Sequence, residues 1–292
     1  MSHFESICQL AKENDAKKLS EFVNGEVCID VFNGIYTPVM FLAKSGDHDA
    51  VAFLLNQFHA NKKEAAQGYA MGGFEKEVNL LLVQGVDQDA ALRGYAVAGN
   101  VEQTNYLLDK GASMDSALWG YAFGGHVDEV NHLLAEQVAS DCAVWGYAQG
   151  AHVDHANALL KSGGNKDIAV WAYALVSNTQ QVEILLQAGA SHDEAVSGYA
   201  HSGHAAQVND LLKKDADCNF AITGFAAGGY IAEVNALINN NENRDFAAFG
   251  YALGGHVLQV NQLLKQGASR DEVIKGYQNG GYSNEAEKLK IV

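Results

Sequence analysis

Cysteine is scarce in this chain of 292 residues, which contains four. They lie far apart, at Cys8, Cys28, Cys142 and Cys218, and no Cys-x-x-Cys pair occurs. This spacing indicates neither a zinc cage nor a disulfide framework, so we expect reduced thiols, no metal and no cofactor. Residues 1–13 also lack the long apolar core of a secretory signal peptide. Together these features predict a cytoplasmic protein.

Basic residues and long apolar runs are scarce as well. The chain has 19 Lys and Arg against 35 Asp and Glu, which gives a formal net charge of −16. Because this charge opposes a phosphate backbone, we expect no nucleic-acid partner. No stretch approaches the roughly 20 apolar residues that a membrane-spanning helix requires, so we expect no membrane partner either. The acidic surface favours solubility and, secondarily, a basic partner.

A tripeptide, Gly-Tyr-Ala or a close variant of it, recurs along most of the chain. Its register recurs every 26 residues without a slip. The nine copies begin at Gly68, Gly94, Gly120, Gly146, Ala172, Gly198, Gly224, Gly250 and Gly276. Self-similarity at a fixed period is the signature of stacked repeats, each of which contacts its neighbours.

Each repeat is predicted to fold as a helical hairpin. The first helix is predicted to start after an acidic or amide residue that suits an N-cap. These residues are Asp89, Asp115, Asp141, Asp167, Asp193, Asn219, Asp245 and Asp271. A Gly-Gly pair such as Gly124-Gly125 is predicted to end it, because glycine permits a left-handed turn. In the second helix Val127, Val130 and Leu133 share one apolar face, which must be buried against a neighbouring unit.

Motifs that carry catalysis or metal binding are missing from this periodic background. The glycine-rich string recurs once per unit and follows no predicted strand, unlike a phosphate-binding loop. His126, His152, His204 and His256 also occur once per unit, and stacked helices lie roughly 8–10 Å apart, too far to share one ion. We expect these histidines to cap or pin the turn between the two helices. No nucleophile elbow, His-Glu-x-x-His sequence or unique acid pair occurs, so the chain is predicted not to be an enzyme.

Residues 37–48 read Thr-Pro-Val-Met-Phe-Leu-Ala-Lys-Ser-Gly-Asp-His. This segment resembles an ankyrin repeat, whose usual form is Thr-Pro-Leu-His-x-Ala-x-x-Gly-His, then an apolar helix ending in Gly-Ala. Later units keep Gly-His, as at Gly125-His126, and Gly-Ala, as at Gly111-Ala112. They are about seven residues shorter than the usual repeat of about 33. The part they lack is the projecting hairpin, which Gly25 to Tyr36 is expected to form in the N-terminal region.

The resemblance implies an all-α fold, an α-solenoid of stacked helix-turn-helix repeats. Residues 1–62 would form N-terminal repeats of near-standard length. Residues 63–292 would form nine shortened repeats, of which the last is a C-terminal cap, and the whole chain would be one continuous solenoid.

All three tryptophans of the chain occupy the same repeat position. One helical turn after each tryptophan, the same first helix has a second candidate binding residue. The predicted partner-binding residues are Trp119, Phe123, Trp145, Gln149, Trp171 and Leu175. In ankyrin-like stacks the first helices line the concave surface, where an aromatic strip suits a partner. The alternative is that the tryptophans pack between repeats. The same two interpretations apply to a second apolar group, Phe220, Phe246, Phe249 and Leu253.

Three functions are open on the sequence alone. The preferred hypothesis is a non-catalytic scaffold or adaptor, monomeric, that binds a protein partner on its concave face. Resemblance to shortened ankyrin-like proteins of intracellular microbes implies an effector that is delivered into a host cell. The unit at 167–204 departs most from the pattern, with Ala172 in place of glycine, and the first alternative is an enzyme or small-ligand pocket there. The second alternative is a structural spacer.

Overall fold

The structure is a computed structural model that describes residues 2–23, 27–238 and 241–290. Every regular element in these residues is an α helix and none is a β strand, which confirms the predicted all-α class. None of these helices has both the length and the apolar character that crossing a lipid bilayer demands.

The helices of the described residues follow one another in pairs along the chain. The first helices are α1 (His3–Lys12), α3 (Pro38–Lys44), α5 (Lys62–Gly72), α7 (Gln88–Val97), α9 (Met114–Gly124), α11 (Ser140–Gln149), α13 (Lys166–Leu175), α15 (His192–His201), α17 (Cys218–Gly228), α19 (Asn241–Leu253) and α21 (Arg270–Asn279). The second helices are α2 (Ala16–Val23), α4 (His48–Gln57), α6 (Glu75–Val83), α8 (Val101–Asp109), α10 (Val127–Ala135), α12 (Val153–Lys161), α14 (Thr179–Gln187), α16 (Ala205–Leu212), α18 (Ile231–Leu237), α20 (Val257–Lys265) and α22 (Ser283–Lys290).

The first helices begin earlier than the sequence predicted. The N-cap of α13 is Asn165, whose side chain accepts a hydrogen bond from the backbone N–H of Asp167 at 2.8 Å. Asp167 therefore lies in the first turn, and its carboxylate accepts from the backbone N–H of Ser191 in the next unit at 2.7 Å. The same bond is made by Asp89, Asp141, Asp193 and Asp245. The predicted N-cap role is wrong for these aspartates, because their side chains join neighbouring units.

The ends of the first helices agree with the sequence pattern. Gly125 follows α9 in the left-handed conformation, at φ 78°. Two later units place other residues there, and Ala151 and Ser177 adopt the same conformation at φ 63° and 56°. A side chain in this region is strained, so these two turns store an energetic cost that glycine avoids.

Consecutive first helices from α3 to α21 pack directly against one another, and each second helix packs on the first helix of its own pair. The glycine of the tripeptide permits this approach, since a Cβ on Gly146 would lie 2.5 Å from the carbonyl oxygen of Trp119. At the equivalent position α13 has Ala172, and α11 and α13 are in looser contact than the other neighbours in this row.

Apolar side chains of both helices in each pair form a single buried cluster that extends along the described chain. In the unit of α9 and α10, Tyr121 and Ala122 enter it from the first helix and Val130 and Leu133 from the second, each at most 5% exposed. Burying an aliphatic side chain of this size contributes about 1.5–3 kcal/mol. Because the neighbours supply part of this burial, stability is shared between units.

The row of first helices curves until its two ends touch. The side-chain amide of Asn61, at the N-cap of α5, donates to the hydroxyl of Tyr282 at 2.7 Å. The Lys63 ammonium donates to the carbonyl of Gly281 and lies 4.8 Å from the centre of the Tyr282 ring. Since Gly281 and Tyr282 follow α21, these contacts close the row from α5 to α21 on itself.

Residues 27–36, which we call the strap, join α2 to α3 without forming a projecting hairpin. The strap instead lies across the C-terminal ends of α11, α13, α15 and α17, where its backbone groups find partners. It turns at Asn33, whose side-chain oxygen accepts from the backbone N–H groups of Ile35 and Tyr36 at 3.0 and 2.8 Å. The hairpin prediction is therefore wrong for residues 27–36, while Gly25 lies outside the described residues.

Candidate binding face on the first helices

The three tryptophans form a continuous stack across α9, α11 and α13. The ring centres of Trp119 and Trp145 are 5.6 Å apart, as are those of Trp145 and Trp171. Phe123 joins the stack at 5.2 Å from Trp119. These separations lie within the range of favourable aromatic pairs. We call Trp119, Trp145 and Trp171 the tryptophan stripe.

The six residues predicted to contact a partner lie on one face of the row but differ in exposure. Trp119, Gln149 and Leu175 are buried, with 8%, 6% and 1% of their surface exposed. The other three are half-buried: Phe123, Trp145 and Trp171. The stripe thus packs between units and also presents surface, so the half-buried residues are the ones within reach of a partner in this conformation. That a partner contacts them stays a prediction.

Two indole N–H groups of the stripe have no hydrogen-bond acceptor. Nε1 of Trp119 and Nε1 of Trp145 are buried, and neither is paired with an oxygen among residues 2–23, 27–238 and 241–290. An unpaired buried donor costs about 1–3 kcal/mol. A ligand oxygen that reached the stripe would offset part of this cost.

A basic residue ends the stripe and was not singled out as a site residue from the sequence. Arg93 on α7 occupies the repeat position of the tryptophans in the preceding unit. Its guanidinium lies 5.9 Å from the centre of the Trp119 ring, within cation–π range. Its Nε also donates to the Ser116 hydroxyl at 3.2 Å. The repeat register was the signal that could have identified it.

An open groove lies on the same row of helices, beyond the stripe. Its volume is about 390 Å³, and it is lined by Asn219, Phe220, Thr223, Asp245, Phe246, Phe249 and Glu272. Phe220 and Phe246 are 38% and 42% exposed, which is high for phenylalanine. We call this site the phenylalanine groove. It gathers Phe220, Phe246 and Phe249 of the second apolar group, and Leu253 is not part of its lining.

The edge of the phenylalanine groove carries two carboxylates. Asp245 accepts a hydrogen bond from the backbone N–H of Ser269 at 2.7 Å. Glu272 forms an exposed ion pair with Lys275 at 2.6 Å. Exposed pairs of this kind are weak, so Glu272 can exchange its partner at little cost. An apolar floor with an acidic edge suits a ligand that is apolar and basic.

The strap binds the C-terminal ends of the first helices through its backbone. The N–H of Cys28 donates to the carbonyl of Gly229 at 2.8 Å, and the N–H of Phe32 donates to that of Gly228 at 3.0 Å. The carbonyl of Phe32 accepts from the Tyr230 hydroxyl at 2.6 Å. Backbone groups on both sides of a turn at residues 28–31 are therefore held by groups at the end of α17.

The strap also contacts α11, α13 and α15. The side-chain amide of Gln149 donates to the carbonyl of Gly34 at 2.9 Å. Gly34 also touches the carbonyl oxygen of Leu175. The Phe32 ring meets the edge of the His201 ring at 5.1 Å. Gln149 and Leu175, which were predicted to contact a partner, thus contact the strap of the same chain. We call the residues that hold the strap the rim: Gln149, Leu175, His201, Gly228, Gly229 and Tyr230.

Histidines close the ends of three first helices, and one of these helices, α17, also contacts the strap. In each of these latches, Nε2 of a histidine bonds to a backbone carbonyl 29 residues earlier. The pairs are His126 with Val97 at 3.0 Å, His152 with Phe123 at 3.1 Å and His256 with Ala227 at 2.9 Å. None of the three caps its own helix by a side-chain bond. Of the two predicted roles, the structure supports pinning the turn.

Two of these C-terminal ends have no latch. His204 occupies the latch position for Leu175 but makes no hydrogen bond among the described residues. Tyr230 occupies the position for His201, and its hydroxyl binds the strap instead. Among the helix ends that the strap covers, those of α13 and α15 therefore lack a histidine latch, whereas that of α17 keeps the latch of His256.

Buried titratable groups surround the strap. Burial lowers the pKa of His201 to about 4, and the nearby His256 contributes to that shift. Burial also lowers the pKa of His256 to about 4. In contrast, burial raises the pKa of Asp30 and of Glu64 to about 7. Asp30 accepts a hydrogen bond from the backbone N–H of Asn61 at 3.1 Å, which partly opposes its shift.

Burial leaves the cysteine thiols of the chain without activation as nucleophiles. All four cysteines are free, and burial raises the pKa of every thiol, that of Cys8 to about 12. A nucleophilic cysteine requires the opposite shift. Within the described residues, no group of three or more His, Cys, Asp or Glu side chains is placed to hold a metal ion.

No protein-family model matches the chain, and no curated protein matches it.

Proposed function

We propose that this chain is a non-catalytic protein-binding scaffold. In this proposal its repeats stack as an ankyrin-like solenoid, and a protein partner binds on the exposed face of the first helices. The observation that carries the proposal is the phenylalanine groove. It leaves two large aromatic side chains 38% and 42% exposed on the same helix row as the tryptophan stripe.

An aromatic cluster in a concave site is typical of the residues that dominate protein–protein binding energy. The scaffold around it is held by burial and by bonds between units, so the groove exists before the ligand arrives. Pre-organisation of this kind reduces the ordering cost of binding. The raised thiol pKa values further support a binding role over covalent catalysis.

The chemistry of the groove defines the partner segment. Phe220, Phe246 and Phe249 favour an apolar anchor, and the carboxylates of Asp245 and Glu272 favour a neighbouring lysine or arginine. The net charge of −16 attracts a basic segment over a longer range. We therefore infer a partner that presents an apolar and basic stretch.

Binding of short synthetic peptides to the intact chain tests the proposal. One peptide set carries leucine or aromatic anchors flanked by lysine and arginine, and a matched set carries the same anchors flanked by aspartate and glutamate. We expect the basic set to bind, with an affinity that falls as salt concentration rises. Fluorescence anisotropy of labelled peptides measures both effects.

A matched pair of variants locates the binding. Phe246→Ser removes an anchor of the groove, whereas Leu258→Ser changes an apolar residue on α20 that is 73% exposed and lies outside the groove. We expect Phe246→Ser to lose binding and Leu258→Ser to retain it. Equal binding to both variants, or no binding by any peptide, would overturn the proposal.

A further inference from the structure

The strap shows how the rim holds a segment that turns at residues 28–31 and again at Asn33. The rim donates side-chain hydrogen bonds from Gln149 and Tyr230 to backbone carbonyls of the strap, at 2.9 and 2.6 Å. It also accepts backbone N–H groups of the strap at the carbonyls of Gly228 and Gly229. These are bonds to backbone atoms, and any peptide that makes the same turns offers the same atoms.

Two positions of the strap, Phe32 and Gly34, meet residues of the rim, whereas the side chains of Val27, Cys28 and Val31 are buried in the core. The Phe32 ring packs against His201, which is 5.9 Å from Trp171 at the end of the stripe. Gly34 adopts φ 96°, and a Cβ there would collide with the carbonyl oxygen of Leu175. Between them Asn33 is exposed. The rim therefore selects an aromatic residue, then any residue, then glycine.

The rim departs from the rest of the row where the strap lies. The carbonyls of Val97, Phe123 and Ala227 are closed by a histidine latch, while those of Leu175 and His201 have no latch among the described side chains. Ala172 also loosens the contact between α11 and α13 at this place. The strap thus crosses two ends without a latch, while the carbonyls that accept its N–H groups, Gly228 and Gly229, lie at the end of α17, which keeps its latch.

We propose that the rim is a peptide-binding site and that the strap is its resident ligand, which a partner segment with the same turns and an aromatic-x-glycine sequence displaces. The proposal rests on the proposed function, because it assigns a second partner contact to the same scaffold. A partner of this kind adds its own backbone to the rim in place of the strap.

The probe for this inference is a fluorescein-labelled peptide with the sequence of residues 27–36, added under reducing conditions to the intact chain. The strap competes with it, so the apparent affinity is reduced by the fraction of chains whose rim is vacant. We expect the double variant Phe32→Ala, Gly34→Ala, which weakens the strap without changing the rim, to bind the peptide at least about tenfold more tightly than the unchanged chain. Peptides with Phe32→Ala or Gly34→Ala are the matched controls and are expected to bind weakly.

Two further variants, made in the background of the weakened strap, place the peptide. Gln149→Ala removes a rim donor and is expected to weaken binding by about tenfold, whereas Phe246→Ser changes the phenylalanine groove and is expected to leave binding unchanged. Loss with Phe246→Ser alone would put the peptide in the groove, overturning the rim assignment but not the proposed function. Binding that no variant alters, or no binding by a folded strap variant, overturns the inference.

The unchanged chain provides a measurement that does not depend on folding of the strap variants. Excess unlabelled peptide is expected to accelerate hydrogen exchange at the backbone amides of Cys28 and Phe32, because displacement frees them from Gly229 and Gly228. Exchange at the amides of α9 serves as the internal reference and is expected to stay constant. Unchanged exchange at Cys28 and Phe32 with saturating peptide would also overturn the inference.

Discussion

Some first helices end under a histidine latch, others end under the strap, and α17 ends under both. At Val97, Phe123 and Ala227 a histidine of the next unit binds the exposed carbonyl. At Leu175 and His201 the strap lies on the helix end instead. Both solutions cover polar backbone atoms, but the first uses a recurring residue and the second uses a segment that occurs once in the chain.

This difference explains the irregular unit at 167–204. Its departures from the repeat, Ala172 in α13 and Ser177 in the turn, lie beside the place where Gly34 of the strap touches Leu175. In this chain the irregular unit therefore lies where the array contacts the strap. The end of α17 contacts the strap as well, but it keeps its repeated glycines and the latch of His256.

The largest expected effect comes from removing a latch. His256 is 5% exposed and binds the carbonyl of Ala227, so His256→Ala leaves a buried acceptor unpaired and a cavity beside it. We expect a loss of about 3 kcal/mol in the free energy of unfolding. His204→Ala, at an unlatched position, is expected to cost about 1 kcal/mol or less. Urea denaturation of both variants checks this, and equal losses would remove the distinction between latched and unlatched helix ends.

The second-largest effect is expected from changing the spacing between first helices. Gly146→Ala places a Cβ against the backbone of Trp119, where no flexible side chain can yield, and is expected to cost about 2 kcal/mol. The reverse change in the strapped region, Ala172→Gly, is expected to alter stability by about 1 kcal/mol or less, because it trades helix propensity for closer packing. Thermal unfolding monitored by circular dichroism measures both. A Gly146→Ala variant as stable as the unchanged chain would contradict the role of glycine in setting the spacing.

The pH dependence of stability tests the buried groups near the latch of α17 and near the strap. These groups change the free energy of unfolding in opposite directions as pH rises. His256 has its pKa lowered from 6.5 to about 4, so the unfolded chain binds more protons between these values and stability rises with pH there. Asp30 and Glu64 have their pKa raised to about 7, so the folded chain binds more protons below pH 7 and stability falls as pH rises from about 4 to 7.

We therefore expect the free energy of unfolding of the unchanged chain to depend only weakly on pH between pH 4 and pH 7. His256→Gln should make stability fall more steeply with rising pH. The double variant Asp30→Asn, Glu64→Gln should make stability rise with pH instead. Urea midpoints at several pH values measure the pH dependence of stability. Identical slopes in all three proteins would show that His256 does not oppose Asp30 and Glu64.

The smallest expected effect is relief of strain in the strapped unit. Ser177 holds φ 56°, so Ser177→Gly is expected to stabilise the chain by about 0.5–1 kcal/mol. The matched control is Gly73→Ala in the unit of α5 and α6, where φ is 78° and a Cβ would meet no atom within 4 Å. It is expected to destabilise by about 1 kcal/mol through backbone strain alone. Opposite signs in the two melting temperatures are the expected result.

The helical class and the pairing of helices could be predicted from the sequence because they depend on local signals. The 26-residue period, the Gly-Gly ends and the apolar face around Val130 each report on a few neighbouring residues. The aspartates were misread for the same reason. Asp167 has the composition of an N-cap, and only the position of the next unit shows that its carboxylate binds Ser191.

The candidate site was predictable in part. The register identified Trp119, Trp145 and Trp171 as neighbours, and the structure brings them together. Their exposure was not predictable, because it depends on residues far away in the chain. Gln149 binds Gly34, which is 115 residues earlier, and no repeat pattern indicates a contact at such a separation.

The contact between α5 and the turn after α21 makes the number of units a fixed quantity. In an open array each repeat touches only its neighbours, so a repeat can be gained or lost with little consequence elsewhere. Here the removal of one 26-residue unit would separate Asn61 from Tyr282 and shift the helix ends on which residues 27–36 rest. Length variation by whole repeats, the usual route by which such proteins diverge, is therefore closed to this chain unless both contacts are rebuilt together.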